Sequence, residues 1–368
     1  MKKKVVYILH SIETGGVEVA LLSAIPALVK TYDLKVIVLG PINASLLTHL
    51  TPEEKSVFVK FDFNLWAYPF KLGKVFRYIK KIDPQVIISS LWRASLVGAT
   101  MKKKIKNVTF FSFIHSTRFF HPLDKYFTSL AIKSADCVLT DSKAAREFVQ
   151  SHFKISKPIK QISFLTTKAP SVFCLEQYDH QIKMMFLGRI NKVKNLPLIV
   201  ESIERLRKNN LNVCLDIYGR DDGDLQNALF IIESKNLQGH IHLKGEVLPE
   251  ERHDLYKGYH FYIQLSAVEG MAMSVVEAMQ RGLVCIVTPV GEIPNYSKDM
   301  VSAIFIDINL PNWVELLVEK VSKVIHDSQL YEKLSRNAWQ IFQDKPTFDQ
   351  SLIKEIETMS SASFFLAT

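Results

Sequence analysis

The sequence predicts an α/β protein built from two doubly wound domains, each a parallel sheet with helices on both faces. Short β-branched or aromatic runs alternate with longer helical patterns, the alternation restarts at Lys183, and 368 residues exceed what one ordinary α/β core takes up. In the first half the strand-like runs are 5–9, 35–39, 86–90, 108–114 and 137–140. In the second half they are 183–187, 213–218, 241–243, 261–265 and 284–287. The first run follows Lys2, Lys3 and Lys4 as the core of a signal peptide would. His10, Ser11 and Glu13 cut it short of the roughly 7–15 apolar residues such a segment needs, so it reads as a buried strand. A helix follows at 17–30.

Residues 154–182, with Pro158, Pro170 and irregular polar patterning, read as the linker, giving domains at 1–175 and 180–345. Residues 310–344 read as two helices parted near Asp327 and Ser328. Pro346 then precedes a last helix at 348–359, and the tail from Ser360 to Thr368 reads as loosely ordered.

Charge is distributed unevenly. Residues 1–177 carry 26 basic against 12 acidic residues, a surplus of 14, whereas 178–368 carry 20 against 25. The first half is therefore expected to meet something anionic, such as acidic phospholipid or a lipid diphosphate. No apolar stretch approaches the roughly 20 residues of a membrane-spanning helix. Cys137, Cys174, Cys214 and Cys285 lack metal-ligand spacing and read as reduced core thiols, which places the chain in the cytoplasm.

Open parallel sheets bind ligands where loops leave the carboxyl ends of their strands, so the chemistry is sought there. After the first strand, Gly15 and Gly16 open a helix and let backbone N–H groups approach a phosphate; taken alone, a plain tight turn is the better explanation. The run Gly188-Arg189 with Lys194 places two cations in one loop before a helix. A guanidinium clamps a phosphate through two N–H bonds and an ammonium adds a mobile charge, which suits a diphosphate leaving group; a solvated basic loop is the alternative. The third constellation is Glu269-Gly270-Met271-Ala272-Met273-Ser274-Val275-Val276-Glu277, in which Glu269 closes a strand and 274–281 reads as a helix. Ser274 and Glu277 have the spacing of a capping box, which explains Glu277 but leaves Glu269 unexplained.

These segments, with Tyr218-Gly219, His242 to Val247, Glu277-Ala278-Met279, Thr288-Pro289-Val290-Gly291, Gly15-Gly16 and His115, resemble the family 4 glycosyltransferases in order and spacing over nearly the whole chain. The resemblance implies a GT-B fold of two Rossmann-like domains facing a central cleft, with the helix at 346–360 packing back on the first. It implies a retaining, metal-independent transfer of a hexose from a nucleoside-diphosphate sugar, UDP-sugar favoured, to a hydroxyl of a lipid-linked or surface-glycan acceptor. Neither cofactor nor metal is expected. Glu277 would hold the ribose, Glu269 the donor sugar, and Arg189 and Lys194 the diphosphate. Val247 would flank the base, Met273 and Ser274 would meet phosphate at a helix N terminus, and Gly219 would belong to the same pocket. His115 would line the sugar from the other domain. A non-catalytic nucleotide-binding partner subunit and a sugar-nucleotide 2-epimerase are the rival readings.

The sequence departs from the family pattern at Ala272, where glycine or proline is common, at Glu292, where a second glycine follows, and at Asn295, where an acidic residue is usual. Leu165 to Lys168 replaces the family's Asn-Gly. Asp222-Gly223-Asp224 has the spacing of a metal-binding pair but reads as a turn with an N-cap, and His240 and His242 read as sheet-surface histidines. Trp66, Tyr68 and Phe70, the cluster Arg118-Phe119-Phe120-His121 and the basic surplus, which includes Lys102 to Lys104, point to peripheral contact with an anionic inner membrane face rather than to nucleic acid.

Overall fold

The computed structural model describes residues 1–13, 15–61, 68–169, 181–247 and 252–365, without the side chains at 68–70, 252–253 and 360–365. Cys174, Trp66 and the side chains of Tyr68 and Phe70 therefore lie outside the described residues. The chain divides into two compact units: Met1–Thr167 with Pro346–Thr368, and Lys168–Lys345.

Unit 1 holds seven parallel strands: β1 (Lys4–Leu9), β2 (Asp33–Val38), β3 (Phe58–Lys60), β4 (Val86–Ser90), β5 (Thr109–Ile114), β6 (Cys137–Thr140) and β7 (Ile159–Gln161). Their order is β3-β2-β1-β4-β5-β6-β7, with Val6 in register with Lys35 on one side and Ile87 on the other. Central strands covered on both faces lose the polar-apolar alternation, which is why Val5 to Leu9 is buried throughout. Ile8, Ile37, Val75, Ile87, Val97 and Phe110 form part of this unit's core.

Unit 2 holds β8 (Ile182–Leu187), β9 (Val213–Tyr218), β10 (Ile241–Gly245), β11 (Phe261–Gln264), β12 (Val284–Val287) and β13 (Ile304–Phe305), ordered β10-β9-β8-β11-β12-β13. Phe186, Ile203, Leu215, Ile263, Ile286 and Val321 belong to its core. In each sheet the chain leaves the first strand to one side and returns on the other, so β1/β4 and β8/β11 are topological switch points, where crossovers diverge and a crevice opens at the carboxyl ends.

Three strands carried no sequence signal. β3, β7 and β13 are edge strands of two or three residues, too short for periodicity to register, and β7 falls inside the segment read as linker. The last helix, Phe348–Phe365, continues through residues expected to be loose. Its start is fixed in unit 1: the Phe348 N–H donates to the Leu165 carbonyl at 2.7 Å, and the buried Phe348 ring stacks on Phe113. Cys137, Cys214 and Cys285 are buried free thiols on β6, β9 and β12, and burial pushes Cys137 up to about 12. Among the described residues no helix is long and apolar enough to cross a membrane.

At the carboxyl ends of β8 and β9 the backbones touch. Gly219 has φ +144°, and a Cβ there would overlap the carbonyl oxygen of Gly188. Both the dihedral and the contact require glycine. Gly219→Ala is expected to lower stability by at least about 2 kcal/mol in urea unfolding. Gly239→Ala, where an added Cβ meets nothing within 4 Å, should change it by less than about 0.5 kcal/mol.

Candidate active site

In unit 2 the predicted residues gather at the β8/β11 switch point. After β8 the chain turns through Lys192–Lys194 and reaches Asn195, which sits in the left-handed region (φ 51°) and donates to the Leu265 carbonyl at 2.9 Å. Asparagine tolerates that conformation better than most side chains, and the bond ties the loop to the end of β11. Lys194 is thereby delivered to Glu269: its Nζ donates to Glu269 Oε1 at 2.6 Å, with the two side chains 17% and 11% exposed. The Gln264 amide donates to the same oxygen at 3.0 Å. Arg189 reaches Asp222 Oδ2 at 3.3 Å, and Asn191 donates to that oxygen at 2.9 Å. Both expected diphosphate cations thus rest on carboxylates, Lys194 in a part-buried pair and Arg189 in an exposed one.

Glu269 does not close β11, which ends at Gln264; it lies in the loop beyond. The capping box does not form either. Ala272 is the N-cap of the helix Met273–Gln280, and no side chain caps that helix. Ser274 instead donates to Gln264 Oε1 at 3.1 Å and lies 2.8 Å from the Tyr262 hydroxyl, so a polar network links the helix start to Glu269 through Gln264. Uncapped N–H groups at a helix start are donors suited to an anion. Glu277 is held from elsewhere: the buried Tyr256 hydroxyl donates to its Oε2 at 2.7 Å. Gly219 and the buried Val247 follow β9 and β10 at the same sheet edge.

The departures from the family pattern have a structural account. Ala272 adopts φ 54°, ψ 60°, a left-handed conformation that costs an L-residue roughly 1–2 kcal/mol and that glycine would adopt freely. Glu292 and Asn295 bond each other, Nδ2 to Oε2 at 3.2 Å. Glu292 also donates its N–H to the Gly270 carbonyl, which ties that loop to the backbone beside Glu269. Gly291, at φ +60°, lies where a Cβ would overlap the carbonyls of Glu269 and Gly270.

In unit 1 the expected phosphate position at Gly15 and Gly16 is filled from within. Gly15 is the N-cap of Gly16–Thr31, and the buried Glu18 carboxyl lies against its Cα, its pKa raised by burial. His115, beyond β5, has both ring nitrogens occupied: Nδ1 lies 2.9 Å from Asp141 Oδ2 and Nε2 3.1 Å from Ser90 Oγ, which is 2.6 Å from the Tyr7 hydroxyl. A sugar hydroxyl reaching Nε2 must displace Ser90. His10 is half-buried, with its enclosed Nδ1 unpartnered among the described residues, and burial, then the Arg93 charge, lowers it to about 4.

Sequence reasoning missed Gln264, Tyr262, Tyr256, Asp141 and Ser90. Asp141 directly follows β6, so the rule that found His115 would have found it. The others stand inside strands or in a short turn, with no motif around them. The signals set aside behave as surface features. Asp221, rather than Asp224, anchors its turn by accepting from the N–H groups of Gly223, Asp224 and Leu225, which lowers its pKa. His242 lies 3.0 Å from Asp216. Among the described residues no group of three or more His, Cys, Asp or Glu could hold a metal.

Comparison with known proteins adds to this geometry. Residues 172–340 match the family described as Glycosyl transferases group 1, and residues 14–163 match Glycosyltransferase Family 4. An uncharacterized glycosyltransferase of Methanocaldococcus jannaschii is 25% identical over 223 residues, 58% of this chain and 56% of that protein, so the match spans little more than half of the relative's length. Among solved structures, Anabaena HepE in complex with UDP and glucose has a TM-score of 0.78 at 16% identity, covering 98% of this chain and all of that one. A glycosyltransferase from Rickettsia africae has a TM-score of 0.76 at 15% identity over 99% of both.

The lowered pKa of His10 makes unit 1 acid-sensitive. Its folded value lies below the unfolded 6.5, so the unfolded chain takes up the proton first. This contribution is complete above pH 6.5 and is lost as pH falls toward 4, by up to about 3 kcal/mol. His10→Asn should therefore flatten the part of the stability profile between pH 6.5 and 5, measured by urea unfolding.

Proposed function

Since the chain belongs to the family 4 glycosyltransferases and has their GT-B fold, we propose that it moves a hexose from a nucleoside-diphosphate sugar to a hydroxyl of a lipid-linked or surface-glycan acceptor, with retention and without a divalent metal. The observation that carries this reading is the convergence at the β8/β11 switch point of Lys194, Glu269, Glu277 and an uncapped helix N terminus, with Arg189 in the same loop as Lys194.

Glu277 takes the ribose hydroxyls, and Val247 and Gly219 line the nucleotide. The diphosphate draws Lys194 from Glu269 and Arg189 from Asp222, while Met273 and Ser274 offer backbone N–H groups. Charge that grows on the leaving phosphate is then met by two fixed cations and helix N–H groups, the role a metal plays in other transferases. Glu269, released from Lys194, accepts from hydroxyls of the hexose. In unit 1, His115, backed by Asp141, is assigned to the transferring sugar. The UDP bound to HepE favours a uridine donor. Nucleotide binding without transfer would instead mark a non-catalytic partner subunit.

A lipid-linked acceptor brings the protein to the inner face of the cytoplasmic membrane as a peripheral protein. Phe120, Leu123 and Tyr126 are 66%, 55% and 64% exposed at the start of the helix Pro122–Ser134, flanked by Arg118 and Lys125. Aromatic and basic side chains in one patch suit the interface of an anionic bilayer. Lys102 does not belong to this surface: it donates to Asp136 and to the Val108 carbonyl, and it ends a helix at the opposite edge of the sheet.

Thermal melting against UDP, GDP and ADP tests the donor site. One of them should raise the midpoint, with stabilisation of about 2.7 kcal/mol at a hundredfold excess over Kd, and Glu277→Ala should weaken the shift. No shift with any, or a shift intact in Glu277→Ala, would sink the assignment. For the membrane contact, the protein should float with phosphatidylglycerol vesicles, and the triple variant Phe120→Ser, Leu123→Ser, Tyr126→Ser should remain in the pellet fraction. Unchanged flotation of the triple variant rules out this patch.

A further inference from the structure

The carboxylate of Glu277 is not free to turn. It lies half-buried on the helix Met273–Gln280, and the Tyr256 hydroxyl holds its Oε2 at 2.7 Å. Tyr256 is itself enclosed. It is 1% exposed in the turn Tyr256–Gly258, just before β11, and the Arg281 guanidinium stands 5.1 Å from its ring centroid. Arg281 in turn donates to the Glu277 carbonyl at 3.3 Å, closing the arrangement back onto the same helix.

A phenol has one proton to give, and a carboxylate oxygen accepts about two bonds. Holding Oε2 therefore fixes the plane of the carboxylate and leaves Oε1, with one acceptor position on Oε2, for a ligand. A vicinal pair of ribose hydroxyls matches two acceptors fixed in one plane; a 2′-deoxyribose supplies only one donor. Without the phenol, the glutamate side chain must be ordered by the ligand itself, and that ordering cost falls mainly on the ligand that engages both acceptors.

We infer that Tyr256 is a positioning residue for the donor site, orienting the Glu277 carboxylate so that the site selects nucleoside diphosphates bearing a ribose 2′-hydroxyl over their 2′-deoxy analogues. This rests on the reading that Glu277 holds the ribose, and the experiment separates the two.

Binding of UDP and 2′-deoxy-UDP, GDP and 2′-deoxy-GDP, and ADP and 2′-deoxy-ADP is measured by calorimetry for the wild type, Tyr256→Phe, Glu277→Ala and the double variant. The pair that binds most tightly is compared. Tyr256→Phe keeps the buried ring and loses only the hydroxyl, so the fold is expected to persist, with an unchanged far-ultraviolet circular dichroism spectrum. It should weaken the ribonucleotide about tenfold and the deoxy analogue by less than about threefold, which narrows the ratio between them. Glu277→Ala should remove the discrimination, and Tyr256→Phe should add nothing in the double variant, because coupled residues are not additive. Equal losses for both nucleotides in Tyr256→Phe, or full additivity in the double variant, overturn the role of Tyr256 and leave Glu277 standing. If Glu277→Ala keeps the discrimination, or if no nucleotide binds the wild type, the underlying reading falls.

Discussion

The ion pair between Lys194 and Glu269 joins the two loops that flank the β8/β11 switch point, and a polar network of unit 2 converges on it. Both groups are largely buried, so each would be costly to leave unpaired. Gln264 shares Glu269 Oε1, Ser274 and Tyr262 bond to Gln264, and Asn195 fixes the loop that carries Lys194. Under the proposed function, a diphosphate entering this place would exchange one anion for another on Lys194, so the cation would never stand alone. In the same reading, the glutamate freed in the exchange is the one assigned to the donor sugar.

Unit 1 follows a different economy. Its carboxyl-end groups are satisfied among themselves: Glu18 covers Gly15, and Asp141, His115, Ser90 and Tyr7 form one buried chain. Such a network holds the His115 ring in one orientation. An anion would find the helix Gly16–Thr31 already occupied by its own third residue, so a neutral hydroxyl suits this edge of the sheet better than a phosphate does.

The sequence made the long elements legible and the short ones not. Strands such as β4 and β12 are rich in β-branched residues and buried throughout, and their limits were read to the residue. β3, β7 and β13 take their pairing from a neighbour's backbone, a partner that no local pattern reveals. At the site, the motif named Arg189, Lys194, Glu269 and Glu277, yet spacing misread how they are held. Ser274 matched a capping box but turned to Gln264, because Ala272 enters the left-handed region and starts the helix earlier. Tyr256 stands some twenty residues from Glu277, and only the fold brings them together. Glu292 and Asn295, which look like two separate departures from the family, are bonded to each other.

We propose that the nucleoside diphosphate is held by the groups around the Lys194 and Glu269 pair. A crystal structure of the protein with UDP bound tests it most directly. Lys194 Nζ is expected within hydrogen-bond distance of a phosphate oxygen and withdrawn from Glu269, with a ribose hydroxyl on Glu277. A diphosphate bound elsewhere on unit 2, with the Lys194 and Glu269 pair intact, would contradict it.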